Sequence, residues 1–148
     1  MITNPRHGWC NFKLGNFDGR PSYITEVPVD LLNAFISYHL NGSGSAYFDE
    51  EGSTFVLVLS PDSVYIIEEK ENSILHTFPD INIKDLEKEL ILDVELCIDG
   101  WAKEFTIDEE EVEDNKDKIK KLIGVLREIE LAKEISFVEI DDYDECNL

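Results

Sequence analysis

The stretch from residue 45 to residue 78 constrains the fold most. Four runs of strand-forming residues follow one another: Ser45-Ala46-Tyr47-Phe48, Thr54-Phe55-Val56-Leu57-Val58-Leu59, Ser63-Val64-Tyr65-Ile66-Ile67-Glu68 and Ser73-Ile74-Leu75-His76-Thr77-Phe78. Only short turns separate them: Asp49-Glu50-Glu51-Gly52, Ser60-Pro61-Asp62 and Glu71-Asn72. Connections this short join antiparallel neighbours, because a parallel crossover needs about a dozen residues or more. Thr54–Leu59 is apolar at both parities, which predicts a central strand covered at least in part on both sides.

The flanking sequence adds helices and two further strands. Trp9-Cys10-Asn11-Phe12-Lys13-Leu14 alternates like a half-buried strand from position 10 onward. Asp18-Gly19 and Pro21 mark a turn, and Ser22-Tyr23-Ile24-Thr25 reads as a short return strand. Pro28 opens a helix, where its missing N–H costs nothing. Leu32, Phe35, Ile36 and His39 share that helix's inner face, and Asn41-Gly42 stops it.

Residues 82–105 combine a strand-like alternation with a helical stripe at Leu86, Leu90, Val94, Cys97, Ile98, Trp101 and Phe105. Length and the many Glu, Lys and Leu decide for one helix, with Asn82 and Asp85 as a capping start and Gly100 costing about 1 kcal/mol. A last helix is expected from about Asp114 to Lys133, with Ile119, Leu122, Ile123, Leu126 and Ile129 inward. Ile135–Ile140 is either a final strand or a docked tail. The expected architecture is one α+β domain over residues 1–148. Its antiparallel sheet has about six strands, with one inserted helix and two C-terminal helices, in the order ββαββββαα.

Charge bounds the function. Thirty-three acids face 13 bases, for a net charge of −20. Such a surface cannot neutralise phosphates, which excludes a general nucleic-acid binder, and it disfavours an anionic membrane. The longest apolar run, Phe55–Leu59, is far short of the ~20 residues of a membrane span. The start lacks a basic stretch followed by an apolar run, and the three cysteines (Cys10, Cys97, Cys146) form no paired framework. Reduced thiols in a cytoplasm are the expectation. Residues 1–40 are neutral, 41–80 carry −7 and 81–148 carry −13. The densest acid lies at Asp108, Glu109, Glu110, Glu111, Glu113 and Asp114, read as a loop near 106–114, and in a tail over 141–148 that is free to fray.

Chemistry is sparse. His7 and Cys10 are the one suggestive metal-ligand pair, and two further zinc ligands would have to come from afar. His39 and His76 read as satisfied core or rim residues. No acidic stretch has the ligand spacing and mid-loop glycine of a calcium site. Gly42-Ser43-Gly44-Ser45 is neither a nucleophile elbow nor a phosphate loop. No catalytic residue, metal ligand or cofactor is assigned. The aromatics Trp9, Phe12, Phe17, Tyr23, Tyr47, Phe48 and Tyr65 are mostly core, with a few on the sheet's open face as anchors for a partner.

Three segments carry a resemblance: Tyr47-Phe48-Asp49-Glu50-Glu51-Gly52-Ser53-Thr54-Phe55-Val56-Leu57-Val58-Leu59, Asp30-Leu31-Leu32-Asn33-Ala34, and Asp99-Gly100-Trp101-Ala102-Lys103-Glu104-Phe105. In arrangement, over residues 8–105, the chain resembles the small acidic immunity proteins of bacterial polymorphic and contact-dependent toxin systems. The resemblance implies a cytoplasmic inhibitor that binds a basic cognate toxin domain, many of which are nucleases. Long-range attraction would raise its on-rate. Asp108, Glu109, Glu110, Glu111, Glu113 and Asp114 would supply steering, with Asp49, Glu50 and Glu51 as further partner-binding candidates. A non-catalytic adaptor or structural module, and a metal-dependent enzyme using acidic residues, are the other readings.

Overall fold

The structure is a computed structural model. It describes the backbone except at residues 105, 107, 147 and 148, and side chains up to residue 136 apart from 105 and 107. The elements are β1 (Ile2–Arg6), β2 (Trp9–Leu14), β3 (Phe17–Gly19), α1 (Val27–Asn41), β4 (Gly44–Asp49), β5 (Thr54–Leu59), β6 (Val64–Glu69), β7 (Ser73–Phe78), α2 (Ile83–Leu96), α3 (Ile98–Lys103) and α4 (Glu109–Cys146). The class is α+β, as expected, but among the described residues seven strands form two antiparallel sheets, β1-β2-β3 and β4-β5-β6-β7.

The meander follows the turn chemistry. β4, β5, β6 and β7 pair in sequence with an unbroken register, including Tyr47↔Val56, Val56↔Ile67 and Ile67↔Leu75. The two sheets meet through aromatic side chains. The Phe12 ring lies 5.0 Å from Phe55 and 5.7 Å from Phe48, and Phe17 lies 5.1 Å from Phe55. Phe55, Leu57 and Leu59 are fully buried on this inner side. The other face of β5 is covered in part, as expected: Thr54, Val56 and Val58 are half-buried.

β1 was not anticipated, because only Ile2 of its five residues is buried and Pro5 interrupts it. The expected return strand at Ser22–Thr25 is also corrected. The chain already returns at β3, and Ser22 adds a single bridge to Trp9.

α1 begins with Pro28 in its first turn and ends at Gly42 in the left-handed region, φ 83°. Two residues later β4 crosses so close to α1 that a Cβ on Gly44 would sit 1.9 Å from the Ala34 carbonyl oxygen. Only glycine permits this approach.

The single helix expected over 82–105 is two helices. Asn82 caps α2 by accepting from the Asp85 N–H at 3.1 Å. The backbone then leaves helical geometry at Cys97, φ −138° and ψ 38°. The break lets the Trp101 indole N–H donate back to the Asp93 carbonyl at 3.4 Å. In a straight helix those residues would be about 12 Å apart along the axis. Trp101 and Ala102 are thereby buried.

α4 starts earlier and runs further than expected. The acidic loop near 106–114 is for the most part the first turns of α4. Asp108 Oδ1 accepts from the Glu110 N–H at 3.0 Å, and Thr106 Oγ1 accepts from the Asp108 N–H at 3.0 Å. Carboxylates are favoured at a helix N-terminus, where unpaired N–H groups point outward. Ile135–Ile140 lies within α4 and not in a strand, and so do 141–146 of the expected acidic tail. Residues 147–148 lie outside the described residues. No helix among the described residues is long and apolar enough to cross a membrane.

Candidate functional site

The proposed acidic residues fall on two separate elements. Asp49, Glu50 and Glu51 form the β4–β5 turn, and two of them hold it together. The Glu50 carboxylate accepts from the Arg20 N–H at 2.9 Å and from Ser53 Oγ at 3.1 Å. Asp49 Oδ1 accepts from the Glu51 N–H at 2.6 Å, and the Asp49 carbonyl accepts from the Ser22 N–H at 2.8 Å. Glu51 is exposed, with φ 57°.

Asp108, Glu109, Glu110, Glu111, Glu113 and Asp114 share the start of α4 and are all exposed. Three bases of α4 reach acids on the body. Lys116 pairs with Asp99 at 2.8 Å, Lys118 with Glu26 at 3.0 Å and Arg127 with Glu95 at 2.5 Å. Lys116 holds the Asp99 carboxyl below its ordinary range. None of the six acids has an ion-pair partner among the described residues, so their charge faces outward. Salt screens such charge beyond ~10 Å at 0.1 M.

The surface that the sequence did not localise is the outer face of the β4–β7 sheet. The register sets Tyr47, Val56, Ile67 and Leu75 side by side across all four strands. Val58 and Tyr65 pair in the neighbouring row between Ser45 and Thr77. On the other side lie Asp49, Thr54, Glu69 and Ser73. These three rows contain two acids and no base. Tyr47 is 49% exposed, Ile67 36% and Leu75 63%. An antiparallel sheet with one solvated face ordinarily carries polar side chains there, and contiguous exposed apolar surface marks interaction sites.

Behind β6 and β7, Glu68 is buried with its carboxylate on Lys70 Nζ at 2.8 Å and His76 Nε2 at 2.9 Å. The Lys70 hydrogen bond, then that of His76, holds its pKa below the ordinary carboxylate value. His76 is thus a rim histidine with a carboxylate partner.

His39 belongs to a larger cluster where α1, α2 and α4 meet. Its Nε2 lies 3.0 Å from Glu87 Oε1 and 3.8 Å from Glu130 Oε1, while Lys133 Nζ donates to Nδ1 at 2.6 Å. An ammonium group only donates, so Nδ1 is the acceptor and Nε2 carries the proton that Glu87 accepts. Burial pushes the Glu87 carboxyl above its ordinary pKa, partly countered by His39. Its members are 48 and 43 residues apart in sequence, so no local spacing signals the cluster.

A cavity of about 630 Å³ lies against the β1–β2 hairpin, lined among others by Arg6, His7, Trp9, Cys10, Arg20 and Cys97. Arg20 stacks over the Trp9 ring at 5.4 Å. Burial and the nearby Glu104 push the Cys10 thiol up to about 12, so it remains protonated at neutral pH and is a poor nucleophile or metal ligand. Comparison of the chain with protein families, curated proteins and solved structures finds no match.

Proposed function

We propose that this protein is a non-catalytic inhibitor that captures a basic partner protein, in the manner of an immunity protein neutralising a cognate toxin domain. The observation that carries this reading is the outer face of the β4–β7 sheet. Six apolar side chains (Tyr47, Val56, Val58, Tyr65, Ile67 and Leu75) lie in register there, with Asp49 and Glu69 in the adjoining row and no base among them. Interfaces concentrate binding energy in central aromatic and apolar anchors, with polar groups at the rim. A partner with an apolar centre and a lysine- or arginine-rich margin complements this face in both shape and charge.

The start of α4 plays a different part in this reading. Its unpaired acids act at a distance by speeding encounter, and they need not be buried in the complex. Neutralising them lowers the association rate at low salt, whereas truncating the sheet anchors raises the dissociation rate.

The test is stopped-flow and calorimetric titration with any toxin-like domain that a neighbouring gene encodes. The reading expects a tight complex whose association slows as salt rises. No complex at micromolar concentration, or an association rate indifferent to salt, would overturn it.

A further inference from the structure

We propose that His39, Glu87 and Glu130 form a site for one divalent ion of the zinc class, with water in a fourth position. The ligand atoms come from α1, α2 and α4 and all lie within 4.8 Å of one another. Around a tetrahedral zinc with bonds of ~2.0–2.1 Å, ligand atoms are about 3.3 Å apart. The observed 3.0 Å and 3.8 Å from His39 Nε2 to the two carboxylates straddle that value.

Burial and access fit as well. The side chains of His39 and Glu87 are 5% and 3% exposed, and that of Glu130 is 28% exposed. Two inner ligands are therefore fixed by packing, while the third faces solvent. Glu130 lines both a cavity of about 460 Å³ next to His39 and a groove of about 500 Å³ next to Glu87. An ion and a bound water reach the cluster from either. One imidazole with two carboxylates suits zinc and its neighbours, whereas magnesium and calcium prefer oxygen alone.

Two cations compete with the metal. Lys133 sits on His39 Nδ1, and Lys84 Nζ is 3.7 Å from Glu130 Oε2. A metal needs the Nε2 lone pair, so on binding the Nε2 proton is exchanged through solvent to Nδ1. The exposed Lys133 then turns to solvent. Lys133→Gln, whose amide oxygen accepts from Nδ1–H, therefore tightens binding.

The experiment is calorimetric titration of the full chain with zinc chloride and, separately, magnesium chloride, in enough salt to suppress diffuse binding to the acidic surface. One saturable zinc equivalent and none for magnesium is expected. Glu87→Gln, which still accepts from His39, and the more exposed Glu130→Gln each weaken zinc by more than the roughly 10–100-fold typical of a lost outer contact. Glu109→Gln/Glu110→Gln/Glu111→Gln leaves zinc binding unchanged. The Lys133→Gln gain, and a cobalt(II) visible spectrum lost in Glu130→Gln, separate a metal site from a purely structural clamp. Several weak equivalents shared with magnesium, or zinc binding unmoved by Glu87→Gln and Glu130→Gln, would overturn the proposal. The titration needs no partner protein, so it stands or falls apart from the inhibitor reading.

Discussion

The two faces of the β4–β7 sheet are built from the same short strands and meet opposite surroundings. The inner face, with Phe48, Phe55, Leu57, Leu59, Val64 and Ile66, is closed off by the smaller sheet and α1. The outer face has Tyr47, Val56, Tyr65, Ile67 and Leu75 at matching positions, and no strand or helix of the described chain pairs onto it. The difference separates two roles of hydrophobicity. Inner side chains contribute to folding because folding removes them from water. Outer ones stay partly wet in the free protein, so their burial energy is available to an association.

The comparison breaks most clearly at Phe55. Phe55→Ala removes a fully buried ring touching Phe12, Phe17 and Phe48, and should cost about 3–5 kcal/mol in chemical denaturation. Tyr47→Ala should weaken partner binding by about 2 kcal/mol, as loss of an aromatic anchor does, while changing stability by only about 0.5 kcal/mol or less. A large stability loss there would mean that the outer face is needed for folding after all. Asn82→Ala removes the α2 cap and should cost about 1 kcal/mol without touching the partner. Glu109→Gln/Glu110→Gln/Glu111→Gln should leave the melting temperature within a few degrees and reduce the association rate only at low salt.

A pH series sharpens the same contrast from the inner side. The Glu68 pKa is lowered by Lys70 and His76, so its ionised form stabilises the fold. That contribution is present above the unfolded carboxylate value near 4.3 and is lost as pH falls through the lower folded value. Glu68→Gln should flatten the acid limb of the stability curve between about pH 5 and pH 2, as measured by denaturant titration.

Local signals explain what could be read from sequence. The meander, the stop at Gly42 and the Asn82 cap each depend on residues a few positions apart, and each appears where expected. The early start of α4 also had a local signal, because Asp108 followed by Glu111 has capping-box spacing. The loop expected near 106–114 rests on the run of like charge alone. Other features are not local. The break at Cys97 follows from where Trp101 packs, and β1 forms because β2 offers it an edge despite its own weak alternation. The alternation of Tyr65 and Ile67 with buried Val64 and Ile66 was legible. That Ile67 stays exposed and Tyr65 only half-buried depends on the rest of the fold. The His39, Glu87 and Glu130 cluster likewise exists only once α1, α2 and α4 are packed together.

The central claim is that the outer sheet face contacts the partner, and the dissociation rate of the complex tests it most directly. For Tyr47→Ala/Ile67→Ala bound to the basic partner proposed above, the account predicts dissociation faster by about two orders of magnitude or more, with the salt dependence of association unchanged. A dissociation rate equal to that of the unaltered protein would contradict it.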